Sequence, residues 1–229
     1  MSEDWNLKVL EQHYTKWERL KRAKGVLWSM LSLEAQRVCK SLFDDPKFMY
    51  YPASKHYRDR DGKLKPGKHH CWPGGLIQHK TEVLRNALAA AHHYDIDRVV
   101  LECGCLFHDS GKLDEYGVTV TKSHLTFSEG GTTPVLAGEG VHFEATSTRE
   151  PRLNSHLPLS IARWAKAAED ASELSSPQYD HVMHLIVSHH GFRMWGSPDA
   201  PRTMEAVLLH HADVLSVVGS CGSSPYCRD

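Results

Sequence analysis

Three histidines fall within eleven residues in "HHCWPGGLIQH" (69–79), and a His-Asp pair opens "HDSGK" (108–112). His156, "SHHG" (188–191) and "LLHHAD" (208–213) follow. Imidazole and carboxylate suit divalent Mn, Fe, Zn, Ni and Co, and the lack of a thiolate set argues against a structural cysteine-type zinc site. Asp109 carries two oxygens and can bridge two ions, while the adjacent His108 binds one of them. His79 and Asp213 would complete the first ion, and His156 with His189 or His190 the second. Two cations about 3.5–4 Å apart stabilise the attacking and leaving oxygens in phosphoryl transfer and lower the pKa of a bridging water. Lys112, one turn beyond His108, is a compact cation for a phosphate oxygen beside them. A lone histidine is more often a core or surface residue, and His13, His92, His93, His124, His142, His181 and His184 carry no more than that reading.

These side chains must be brought together by the elements that carry them. Residues 3–50 have helical periodicity, with Leu7, Leu10, Tyr14, Trp17 and Leu20 on one face and Ser32 as an N-cap for a further helix. Residues 75–93 read as an amphipathic helix whose apolar stripe is Leu76, Val83, Leu84, Ala87 and Ala91, with His79 on its edge. Residues 97–109 are apolar nearly all round, which predicts a central buried helix ending at His108-Asp109. Helices resume at 156–171, 177–190 and 204–219, the last capped by Thr203. Adjacent histidines on a helix point about 100° apart, so one of His189 and His190 faces a given site, and His189 is favoured. Between these helices, "VTVTKSHLTF" alternates like a strand, while "SEGGTTPVLAGEGVHFEATSTREPRLNS" reads as loop. Residues 116–155 are therefore expected to form an inserted hairpin or lid. The stretch 44–70 is expected to be irregular, and Lys55 to Lys68 holds six Lys/Arg against two Asp. The sum is a mostly α single domain, a helical bundle with one small β insertion and a loose tail after Gly219.

Composition bounds the rest. The chain has 229 residues and a formal net charge of −1, which excludes a global basic field for nucleic acid. Apolar runs are too short for a membrane span, and the start "MSEDWNLKVL" lacks the basic and apolar regions of a secretory signal. Six cysteines without a CxxC pair suit reduced thiols and a cytoplasmic location. Cys103 and Cys105 read as core residues, and Cys221 and Cys227 lie in a Gly/Ser tail.

Taken in order, Phe48, "YPASK" (51–55), "HH" (69–70), "GGLIQH", "HDSGK", His156, "SHHG", "WGSP" (195–198) and "LLHHAD" resemble the HD-domain metal-dependent phosphohydrolase superfamily. The likeness is to the HD domain of bacterial 3′→5′ exoribonucleases that join it to an OB-fold. It implies an HD core over residues 46–218, a helical extension at 1–45, the insertion at 116–155 and a tail at 219–229. It also implies one or two divalent ions (Mn, Fe, Ni, Co, Mg or Zn, with Mn or Fe favoured). The implied ligands are His79, His108, Asp109, His156, His189, His190 and Asp213. Asp109 and Lys112 would be catalytic, and Lys55, His70, Lys112 and Trp195 would contact substrate. That substrate would be single-stranded RNA or DNA, or a nucleotide. The OB-fold is not seen ahead of residue 46, and the links from "PASK" to "HH" and from Asp109 to His156 are longer than the family's. Phosphohydrolysis therefore carries over more directly than exonuclease specificity. Two other classes share part of the pattern: HD-fold diiron oxygenases and the non-catalytic HD-like module of conjugative relaxases.

Overall fold

The N-terminal periodicity produces three helices, α1 (Glu3–His13), α2 (Trp17–Ser29) and α3 (Leu33–Asp44). They belong to a computed structural model that describes residues 3–65, 67, 69–122, 140–148, 155–171 and 174–223. Leu10, Tyr14, Leu27, Val38 and Leu42 of this region are buried. Ser32 caps α3 as expected, accepting from the Ala35 N–H. The stretch that follows is less irregular than its prolines and glycines suggest. It holds a 3-10 turn at Pro46–Met49 and a small antiparallel ribbon of β1 (Tyr57–Arg58) and β2 (Leu64–Lys65).

The site-bearing helices are α4 (Gly75–Ala91), α5 (Arg98–Phe107), the short α6 (Lys112–Glu115), α7 (His156–Glu169), α8 (Ser176–Ser188) and α9 (Met204–Ser223). The all-apolar helix is central, as its pattern requires. Val100, Leu101, Cys103, Cys105, Leu106 and Phe107 of α5 are at most 1% exposed, and α3, α4, α7, α8 and α9 pack around it. Asp97 starts it, its side chain accepting from the Val100 N–H. Thr203 Oγ1 accepts from the Ala206 N–H at the start of α9. That helix continues four residues beyond the expected end, to Ser223.

The hairpin expectation needs one correction. "VHFEATS", read as loop, is β4 (Val141–Ser147), paired antiparallel with β3 (Tyr116–Lys122) from Tyr116↔Ser147 to Lys122↔Val141. Val118, Val120, Val141, Phe143 and Ala145 turn inward. The Gly-rich run before it hides this short alternation in the sequence. The other edge of β3 is closed by α1. Asn6 Nδ2 donates to the Val118 carbonyl (2.8 Å), and the Val120 N–H donates to Asn6 Oδ1 (3.1 Å). The rest of the expected insertion, 123–139 and 149–154, and the tail 224–229 with Cys227, lie outside the described residues. No helix among the described residues is long and apolar enough to cross a membrane.

Candidate metal centre

Close backbone approach brings the histidine-bearing segments together. A Cβ on Gly111 of "HDSGK" would overlap the His156 carbonyl oxygen and the Ser160 backbone. With hydrogen there instead, the first turn of α7 sits on the turn after α5, and the Gly111 N–H donates to Ser160 Oγ (2.8 Å). His156 is thereby carried to Asp109. Gly75 does the same for the "HH" segment, where a Cβ would overlap the His70 carbonyl.

Asp109 lies at the centre, 3% exposed, with its two oxygens facing different groups. Oδ2 is 3.4 Å from His79 Nε2, 3.5 Å from His108 Nε2 and 2.6 Å from Lys112 Nζ. Oδ1 is 3.4 Å from His156 Nε2 and 3.9 Å from His189 Nε2. Asp213 on α9 joins the first group, its Oδ1 3.1 Å from His79 Nε2 and 3.9 Å from His108 Nε2. His190 stands with the second group, its ring centroid 5.2 Å from that of His156 and 4.2 Å from that of His189. The structure therefore places both members of the pair beside His156, with His189 the one that also reaches Asp109.

The outer ring nitrogens set which tautomer each histidine adopts. His108 Nδ1 lies 3.0 Å from the Cys105 carbonyl and His189 Nδ1 2.7 Å from the Ile186 carbonyl, so each donates there. His79 Nδ1 is 3.0 Å from Ser216 Oγ, whose hydroxyl donates to Glu82 Oε2 (2.8 Å). All three rings thus turn a lone pair on Nε2 toward Asp109. The inward nitrogens of His79, His108 and His156, and Nδ1 of His190, are buried without an aligned hydrogen-bond partner among the described residues. Buried polar atoms left so are costly. Lone pairs of neutral imidazole converging on carboxylates are the donor set a divalent cation requires, and His79-His108-Asp109 and His156-His189-His190 are each close enough to share one.

Electrostatics keep Asp109, Asp213, His156 and His189 in ligating form. Burial opposes ionisation of Asp109, but Lys112 and His108 hold its carboxyl well below the usual range. Asp213 is likewise held low, against burial, by His79. Burial pushes His156 down to about 4 and His189 well below its usual value, so both stay neutral. Lys112 stays protonated because Asp109 outweighs the effect of burial.

The expected substrate contacts fall differently. Lys112 is in the centre. His70 is fully buried and faces Glu82, with Nε2 3.1 Å from Oε2, while its neighbour His69 is the partly exposed one. Lys55 Nζ is held by Glu115 Oε1 (3.0 Å) and Ser147 Oγ (2.7 Å). Glu115 Oε2 in turn lies 3.8 Å from His156 Nδ1. Trp195 is 56% exposed, beside Phe192 and His210, and no contact joins it to Asp109 among the described residues. In the basic loop, Arg58 pairs with Glu144 and Lys65 with Asp59, so part of its charge is answered locally. Sequence reasoning missed Lys80, Glu82, Glu115 and Ser216. Lys80 had a signal, since a lysine one turn from both Leu76 and Val83 or Leu84 falls on the apolar stripe. It is 0% exposed, with no hydrogen-bond partner for its ammonium among the described residues.

The HD domain profile matches residues 76–217. The chain is 30% identical over 192 residues to the 3'-5' exoribonuclease YhaM of Bacillus subtilis, covering 82% of this chain and 50% of that protein. It is 27% identical over 201 residues to the protein of that name from a Geobacillus species (86% and 51%), and 27% identical over 194 residues to that of Listeria innocua (82% and 50%). The chain spans about half the length of these curated relatives. No solved structure gives a significant match.

Proposed function

The chain belongs to the HD-domain family, and on that premise we propose that it is a divalent-cation-dependent phosphohydrolase that shortens single-stranded RNA from its 3′ end. The observation that carries this reading is the division of Asp109. One oxygen faces His79 and His108 and the other faces His156 and His189, within a ring of inward lone pairs. His79, His108, Asp109 and Asp213 would hold one cation, and Asp109, His156, His189 and His190 a second. When bound, such a pair supplies charge for the phosphoryl oxygens and a water acidic enough to attack at neutral pH.

The chain's own groups do the rest. Lys112, buried and charged beside Asp109, offers its ammonium to a non-bridging phosphate oxygen. Glu115 keeps Lys55 and His156 on one carboxylate and so fixes the second histidine group against the hairpin. Manganese or iron suits the mixed imidazole–carboxylate set. The activity printed for the YhaM proteins supports RNA as the substrate. We assign the HD core to residues 46–218, with 1–45 as a helical extension whose α1 packs on β3.

The test is a 5′-labelled single-stranded RNA and its DNA counterpart, incubated with Mn²⁺-loaded protein and resolved on a denaturing gel. A ladder shortening from the 3′ end on RNA, absent for Asp109→Ala, is expected. Intact RNA at every cation tried would overturn the proposal.

A further inference from the structure

The "HH" segment meets the centre in a way that the ligand set above leaves unused. His69, His70 and His79 each present a ligand atom within 4.8 Å of the others. The ring centroid of His69 is 5.2 Å from that of His79. His70 is the non-glycine residue with a left-handed backbone among those described (φ 43°). Bulky residues rarely adopt that conformation, and where it persists the surroundings over-determine it. Here the His70 carbonyl accepts from the Ala53 N–H (2.9 Å), and Gly75 leaves room for it. The turn sends the His70 side chain to Glu82 and leaves His69 on the open side.

The protons follow from these contacts. The Glu82 carboxylate, 3.1 Å from His70 Nε2 though off hydrogen-bond alignment, keeps the ring proton of His70 on that nitrogen. His70 Nδ1 is then a lone pair. It lies 3.2 Å from His69 Nδ1, which must therefore be the donor. His69 is left with its lone pair on Nε2. Glu82 thus supports two histidines, His79 through Ser216 and His69 through His70. An outer hydrogen-bond partner that selects the ligating tautomer is a regular accompaniment of metal-bound imidazole.

We propose that His69 is a further ligand of the cation at the His79 side of the centre, offering Nε2, with Glu82 and His70 holding it in the required tautomer. His69 would be the partly exposed ligand of that ion, where His70 is enclosed. This inference rests on the centre being a metal site, as proposed above.

The test titrates chelator-stripped protein with Co²⁺ and reads its visible absorption, for wild type, His69→Ala, His69→Gln and Asp109→Ala. The His69 variants are expected to change the spectrum of one bound ion and weaken its affinity roughly tenfold, within the range for perturbing one ligand or its support. Spectra and affinities matching wild type overturn the inference, including when only the KM for RNA rises, which would make His69 a substrate contact. A wild-type protein that binds no Co²⁺ overturns the metal reading itself. If the His69 variants fold poorly, the imidazole ¹⁵N spectrum of wild-type protein decides. The His69 Nε2 resonance must move when Zn²⁺ is added, and a stationary resonance contradicts the proposal.

Discussion

Lys112 Nζ lies 2.6 Å from Asp109 Oδ2, the same oxygen that His79 and His108 approach with Nε2 at 3.4 and 3.5 Å. A divalent cation that takes this oxygen competes with the ammonium for it. Lys112→Met therefore weakens the chelator-treated protein, because breaking a buried pair costs about 3–5 kcal/mol. Mn²⁺ restores most of the loss by supplying the missing charge. Thermal melting with and without Mn²⁺ checks this, and equal destabilisation in both conditions would contradict it.

Ser216 sits between His79 Nδ1 and Glu82 Oε2 at 3.0 and 2.8 Å. Ser216→Ala removes the group that fixes the His79 ring without touching Asp109. Metal affinity should fall about 10–100-fold, while the fold loses only about 1 kcal/mol. Calorimetric Mn²⁺ titration beside a urea melt separates the two. Unchanged affinity would show that His79 is oriented by packing alone.

Lys80 carries an ammonium into the core beside the centre, and burial pushes its pKa down to about 8. Its charge would repel a cation held by the neighbouring His79. Lys80→Met keeps the length of the side chain and removes the charge. It should tighten Mn²⁺ binding about tenfold, or about 1.4 kcal/mol, and stabilise the stripped protein at pH 7 by on the order of 2 kcal/mol. Weaker binding in the variant would mean that Lys80 instead holds the carboxylates in place.

Acid should destabilise the metal-free protein before its carboxylates titrate. Burial, with Lys112 nearby, pushes His69 down to about 3, and burial pushes His156 down to about 4. The unfolded chain takes up protons at these residues near pH 6.5, and the folded chain does not. Stability therefore falls as pH drops from 6.5 toward 4, by up to about 1.4 kcal/mol per unit for each group. His79 runs the other way. Burial lowers its pKa, but Asp109 and Asp213 outweigh that and raise it, so its contribution is present below 6.5 and lost above its folded value. It offsets one group of several. Urea midpoints at pH 7, 5.5 and 4.5 read this directly, and a flat profile would contradict it.

Much of the centre is legible because its histidines and carboxylates sit on or beside long periodic helices. The stripe of α4 carries His79 on its edge, and the all-apolar α5 leads straight into His108. What the sequence could not carry was contact between distant segments. Nothing in the spacing of Glu82 and Ser216 marks them as one hydrogen-bonded pair, since they are 134 residues apart. Within "HH" the sequence cannot tell the two rings apart for a related reason. Adjacent residues look equivalent in sequence, and only the left-handed turn at His70 separates an enclosed ring from a partly open one. The strand β4 was lost to its Gly-rich approach, where period-2 alternation over seven residues is a weak signal.

The central claim, that Asp109 joins two cations, is tested most directly by calorimetric titration of chelator-stripped protein with Mn²⁺, alongside Asp109→Ala. The account predicts two ions per chain for wild type and loss of both tight sites in the variant, with melting confirming that the variant is folded. One ion bound equally well by both proteins would contradict it.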